Sequence, residues 1–142
     1  MTSAQIKDLL ESKGVRATHQ RISVYRAVCE HPVHPCASAI YDTLKKDNPA
    51  LSLATVYNSV EALCGAGLLR RINVDDNESR YDADMSRHGH FKCDRCGKVI
   101  DFPVKDDFAQ GLSGFAVTRR EICFGGLCPD CLAQEQQTKQ CN

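Results

Sequence analysis

Residues 88–98, His88-Gly89-His90-Phe91-Lys92-Cys93-Asp94-Arg95-Cys96-Gly97-Lys98, mark the point where the chain changes character. They contain a Cys-x-x-Cys knuckle, and a second pair, Cys128-x-x-Cys131, follows after 31 intervening residues. Each pair can set two thiolates on one ion through a tight turn, which Gly97 eases. Together Cys93, Cys96, Cys128 and Cys131 predict a tetrahedral four-thiolate site holding structural Zn2+. The long gap is explained by a strand–helix–strand insertion. Strands are expected at 91–93, 99–102 and 115–124, with a short helix at 106–112. A redox dithiol is the weaker reading, because a thioredoxin-type Cys-x-x-Cys belongs to a βαβ context that is absent here.

The same stretch opens on His88-Gly89-His90. Side chains on a strand repeat every two residues, so both imidazoles fall on one face. Asp82 lies just before them, Asp101 follows the knuckle and His34 lies far upstream. Three nitrogens and two carboxylates suit a divalent ion of intermediate hardness, such as Fe2+ or Mn2+. A lone His-x-His is also what two surface histidines look like, and both readings stand on the residues alone.

Upstream of this stretch the sequence reads as helices. Ile6, Leu9 and Leu10 make one apolar face, ended by Gly14. Thr18 can cap a second helix carrying Ile22, Val24, Tyr25 and Val28, ended by His31-Pro32. Ala37, Ile40, Tyr41 and Leu44 mark a third. Ser52 can cap a fourth, with Leu53, Val56, Val60 and Leu63 facing inward and Gly65 and Gly67 closing it. Strands at 68–73 and 79–83 flank a turn at Asp75-Asp76-Asn77. Short helices followed by a hairpin suggest a winged helix-turn-helix, with the fourth helix entering the major groove. Its outward residues would be Thr55, Tyr57, Asn58 and Ser59: hydroxyls for phosphates, an aromatic edge for thymine methyls, an amide for adenine or phosphate. An ordinary polar helix face would look the same.

Composition sets the outer limits. The chain has 142 residues, 42% hydrophobic and 25% charged, with no net charge. That is globular and allows two small domains at most. Neutrality hides a split. Residues 13–71 carry eight Lys/Arg against four Asp/Glu, and residues 72–142 carry nine against twelve. The basic excess lies in the helical half, where it hints at an anionic partner. Nine cysteines are an odd number for a disulfide framework. The start, MTSAQIKDLLESKG, has no apolar signal core, and no apolar run approaches the ~20 residues of a membrane span. A reduced, cytoplasmic, metal-binding protein is expected.

The chain resembles the ferric uptake regulator family of metal-dependent bacterial repressors. The resemblance runs through Gly14-Val15-Arg16-Ala17-Thr18-His19-Gln20-Arg21, Ser52-Leu53-Ala54-Thr55-Val56-Tyr57-Asn58 and residues 88–98, and ends with Cys128 and Cys131. It implies an α+β fold: an N-terminal winged helix-turn-helix DNA-binding domain, residues 1–84, and a small C-terminal α/β dimerisation domain, residues 85–142, with the four-cysteine zinc site. Residues 84–87 are the expected hinge. The ligands look most like the family's peroxide-sensing branch. His34-Pro35, Arg80-Tyr81-Asp82, His88, His90 and Asp101 match its regulatory site, and Asn58 stands where iron regulators tend to have Arg. His19 departs from the family's proline, which would preorganise the helix start. Arg119-Arg120-Glu121 occupies the place of a further ligand histidine in some branches, so no third site is expected.

The resemblance implies a homodimer on double-stranded operator DNA, touched by Arg16, Thr55, Tyr57 and Asn58. It implies a regulatory Fe2+ or Mn2+ held by His34, Asp82, His88, His90 and Asp101. It also implies release from DNA when peroxide oxidises a ligand histidine, His34 or His88. Such a protein is not an enzyme and needs no membrane. Alternatives are an iron- or zinc-responsive member of the family, a thiol-redox protein or a zinc hydrolase, though the last lacks any HExxH-like motif. Cys29, Cys36, Cys64, Cys123 and Cys141 match no motif. Cys29 and Cys64 are expected in the core, and Cys36 adjoins His34.

Overall fold

The computed structural model describes residues 1–31, 33–73, 78–105 and 109–140. They form two compact units, Met1–Met85 and Ser86–Asn142.

Helix caps organise the first unit. Thr2 starts α1 (Ser3–Ser12) with a capping box, accepting from Gln5 N at 3.2 Å while Thr2 N donates to Gln5 Oε1 at 2.8 Å. Thr18 starts α2 (His19–Glu30) by accepting from Arg21 N at 3.2 Å. The cap therefore forms although His19 stands in the first helical position. Helix α3 (Ala37–Leu44) follows, and Ser52 caps α4 (Leu53–Gly65) through Thr55 N at 3.1 Å. Gly67, at φ +75°, closes α4. Leu68 N donates to Leu63 O at 2.9 Å and Gly67 N to Cys64 O at 3.0 Å, the paired bonds of a Schellman ending.

The apolar faces of these helices meet in one core. Ile6, Leu10, Val24, Ile40, Val56, Val60 and Leu63 are essentially sealed from solvent. Burial of each such side chain contributes about 1.5–3 kcal/mol. Three residues depart from the sequence expectation. Leu53 is 38% exposed, because the first residue of α4 lies beyond the core's edge, whereas Ser59 is only 4% exposed. Cys29 lies near the end of α2 and is exposed. Cys64 is half-buried and packs against the core.

Strands β1 (Arg70–Ile72) and β2 (Arg80–Asp82) form an antiparallel wing with Arg70 opposite Asp82, Arg71 opposite Tyr81 and Ile72 opposite Arg80. Both wing strands are shorter than expected, and β1 starts late because the amides of Leu68 and Leu69 are spent closing α4 onto Leu63 O. The expected turn at 75–77 lies outside the described residues. The segment before α3 joins the wing from its other side. Tyr81 N donates to Pro35 O at 2.9 Å, and Cys36 bridges Arg80.

The second unit holds β3 (His88–Cys93), β4 (Val99–Pro103), β5 (Cys123–Gly126) and α5 (Pro129–Gln140). The sheet order is β4-β3-β5, with β4 antiparallel and β5 parallel to β3. The strand expected at 115–124 is confined to its end. Pairing starts where Cys123 meets His90, and the polar run 118–121 breaks the apolar alternation before it. Phe115 and Val117 are exposed. Of the helix expected at 106–112, residues 109–112 form a turn and the rest lies outside the described residues. Helix α5 is an element the sequence reading lacks. Its polar composition gives no apolar stripe, although Pro129 in its first position is a start signal. No helix among the described residues is long and apolar enough to cross a membrane.

Gly89 lies opposite Phe102 in the β3–β4 register. A Cβ there would stand 2.8 Å from Phe102 Cε1 and Cε2. The Phe102 ring has little room to yield, since it stacks on Phe124 with centroids 5.3 Å apart. Gly89→Ala is expected to destabilise this unit by about 1–3 kcal/mol. Urea denaturation of the full chain measures this loss, and adding Phe102→Ala removes the clash.

Candidate functional site

Three elements assemble the cysteine cluster. Cys93 ends β3, Cys96 lies in the following knuckle, and Cys128 and Cys131 flank the start of α5. Their four Sγ atoms all lie within 4.8 Å of one another. The Cys96–Cys128 separation is 3.9 Å. That is far longer than the ~2.05 Å of a disulfide. It is close to the ~3.8 Å edge of a tetrahedron built on ~2.3 Å Zn–S bonds. Gly97, at φ +75°, donates its N–H to Cys93 O at 2.9 Å and turns the knuckle.

The local electrostatics favour a cation. Backbone N–H groups of Cys96 and Cys128 lower the Cys93 pKa to about 6, so its thiolate is favoured at neutral pH. The bond from Cys128 N to Cys93 Sγ measures 3.4 Å. Cys131 is pushed up to about 12, first by its hydrogen bond with Cys128 and then by burial. Thiols this close cannot all ionise unaided. A soft divalent cation removes the conflict, and the sulfur-only donor set fits Zn2+. The remaining cysteines do not join the cluster. Cys123 is exposed, Cys36 is half-buried, and Cys141 lies outside the described residues. Burial raises the Cys64 thiol to about 11, which keeps it protonated and a poor nucleophile.

The oxygen and nitrogen ligands predicted from sequence form one group in each unit. In the first unit, His34 Nδ1 stands 3.7 Å from Asp82 Oδ1. The pairing of Pro35 and Cys36 with β2 brings together residues 48 positions apart in sequence. Asp82 is buried and also accepts from Asp84 N at 2.8 Å. In the second unit, the Nε2 atoms of His88 and His90 are 3.1 Å apart. Asp101 lies opposite His90 across the β3–β4 ladder, with its Oδ1 3.5 Å from His90 Nε2 and its Oδ2 3.9 Å from His88 Nε2. His88 Nδ1 lies 2.9 Å from Ser86 O. A proton donated there leaves Nε2 bare on the side facing His90 and Asp101, the tautomer a metal ligand needs. The Ser86 carbonyl is a supporting group that no sequence signal announces.

The predicted DNA-facing residues lie in the first unit. Tyr57 and Asn58 are exposed on α4. Thr55 is half-buried, with its hydroxyl 2.8 Å from that of Ser52. Ser59 points into the core, because α4 turns its 56-59-60-63 face inward. Arg16 is exposed before α2, and its carbonyl accepts from Arg21 Nη1 at 3.0 Å. Sequence reading missed the ion pair between Glu61 of α4 and Arg71 of β1. Nothing in the local spacing of residues 61 and 71 signals it.

The sequence pattern of the Ferric uptake regulator family matches residues 12–112. Over 127 residues, 86% of each chain, the protein is 35% identical to the peroxide-responsive repressor PerR of Staphylococcus saprophyticus. Among solved structures it is similar to PerR from Streptococcus pyogenes, a protein of peroxide sensing and gene regulation. That likeness has 31% identity, a TM-score of 0.52, and covers 91% of this chain and 92% of that one. It is also similar to a zinc uptake regulator complexed with zinc and DNA, at 25% identity and a TM-score of 0.68, covering 94% of this chain and 95% of the other. The match takes in both units, and the chain belongs to the ferric uptake regulator family, where it resembles the peroxide-responsive members.

Proposed function

We propose that the protein is a metal-dependent, peroxide-responsive transcriptional repressor that works in the cytoplasm as a homodimer on double-stranded operator DNA. The observation that carries this reading is the division of ligand chemistry. A thiolate-only cluster suits permanent Zn2+, and separate imidazole–carboxylate groups suit an exchangeable ion. The first unit, with the expected bounds 1–84, reads DNA, and residues 85–142 dimerise and hold zinc. Arg16 is assigned to the DNA backbone or minor groove, Thr55 to a phosphate, and Tyr57 and Asn58 to the major groove. Two α4 helices related by the dimer axis face a pseudo-palindromic operator.

The regulatory ion, Fe2+ or Mn2+, is assigned to His34, Asp82, His88, His90 and Asp101 together. A site that draws ligands from two units stabilises only the arrangement that offers all of them, and so couples ion binding to DNA binding. Bound Fe2+ supplies the one-electron chemistry by which hydrogen peroxide oxidises a neighbouring side chain. His34 or His88, once oxidised on its ring, is a poorer ligand, and the two ligand groups lose their common tie. The protein consumes its own site without turnover, so it is not an enzyme.

Three outcomes are expected. First, the protein purified without oxygen binds operator DNA when given Fe2+ or Mn2+, and peroxide abolishes binding of the Fe2+ form but spares the Mn2+ form. Mass spectrometry then finds one added oxygen on a peptide containing His34 or His88. Release through a cysteine disulfide alone overturns the histidine mechanism. Second, His34→Ala and Asp82→Ala each weaken metal-activated binding roughly 100-fold while keeping zinc and the dimer, since even outer-shell changes cost about 10- to 100-fold. Fluorescence anisotropy with added Mn2+ checks this. Metal activation surviving in both variants refutes the shared site. Third, Cys96→Ser loses zinc by elemental analysis and unfolds or monomerises the protein. A folded, zinc-free wild-type dimer contradicts the structural role.

A further inference from the structure

Glu61 is the sole acidic residue of α4, the helix proposed to read DNA. It lies four residues after Tyr57, so the two side chains are neighbours on one helix face. An uncompensated carboxylate there, within the ~8 Å screening length of physiological salt, repels approaching phosphates. Arg71 meets it. The Arg71 guanidinium pairs with Glu61 from β1, and both side chains remain substantially open to solvent. Arg71 lies directly opposite Tyr81 in the wing register. Tyr57, Glu61, Arg71 and Tyr81 line one shallow cavity in the first unit. Glu78 also lines it and accepts from Ser38 Oγ at 2.9 Å.

We propose that Arg71 is a positioning residue for operator binding. It acts through Glu61, neutralising the carboxylate beside Tyr57 so that α4 can approach the phosphate backbone. The pair gives the fold little, since exposed ion pairs contribute about 0–1 kcal/mol. Its value lies in the charge presented to DNA. This inference rests on the reading of α4 as the recognition helix.

The test uses the full-length, Mn2+-loaded protein and a duplex that the wild type selects from random-sequence DNA. Affinity is measured by anisotropy across a series of salt concentrations for wild type, Arg71→Ala, Glu61→Gln and the double variant. Arg71→Ala is expected to weaken binding about fivefold. Glu61→Gln added to Arg71→Ala is expected to return affinity to within about twofold of wild type, with the salt slope unchanged. Wild-type affinity in Arg71→Ala overturns the proposal. So does a double variant as weak as the single one with a salt slope reduced by about 0.9, because Arg71 then touches phosphate directly. Should Arg71→Ala fail to fold by circular dichroism, Arg71→Gln answers the same question. A wild-type protein that selects no duplex refutes DNA recognition itself, a result distinct from any difference among the variants.

Discussion

Four sulfur atoms within 4.8 Å of one another set the terms for the second unit. Its buried apolar cluster consists of Cys93, Cys128 and Cys131, with Phe91, Ile100 and Leu127 packed against them. A unit spanning residues 86–142, with so little hydrocarbon buried among its described residues, falls in the size range where a metal staple commonly supplies the missing stability. The sulfurs cannot provide that stability by themselves. The Cys93 thiolate is favoured by backbone N–H groups, whereas Cys131 is held protonated by its hydrogen bond with Cys128 and by burial. A divalent cation turns mutual repulsion into four bonds, and its binding energy becomes folding energy.

The histidine group depends on the same constraint. Cys93 ends the strand that carries His88 and His90. Anchoring that end, and turning the knuckle through Gly97, sets the β3–β4 register that places Asp101 across from His90. The cysteine cluster therefore supports the geometry of a second, chemically different ligand group without contributing a donor to it. Hard and soft ligands kept apart in this way allow one ion to be permanent and another to exchange.

A comparable economy operates in the first unit, on a strand of three residues. Tyr81 of β2 is buried in the helical core, and its backbone N–H holds the chain that carries His34. Its neighbour Asp82 faces His34. Tyr81 also stands opposite Arg71, which pairs with α4. A candidate ligand group and the face of the proposed recognition helix are thus connected through adjacent residues of one short strand.

Much of this was legible from local rules. Thr18 and Ser52 cap the helices they were expected to cap, because capping depends on residues within one turn. His88 and His90 share a face because strand side chains alternate. The two Cys-x-x-Cys pairs meet because a tetrahedral site demands four such donors. Local rules failed where distant parts of the chain compete. Strand β1 starts late because α4 claimed the amides of Leu68 and Leu69, and Ser59 turned inward with the core face of its helix. Strand β5 shortened to its parallel pairing with β3, and α5 offered no apolar period to read. Sequence by itself determined the kinds of ligand and the order of elements from α1 to β4, since both follow from residue chemistry and short-range spacing. Only the tertiary structure decided that His34 meets Asp82 and that Arg71 meets Glu61. Those contacts depend on how strands and helices dock, and no local spacing encodes that.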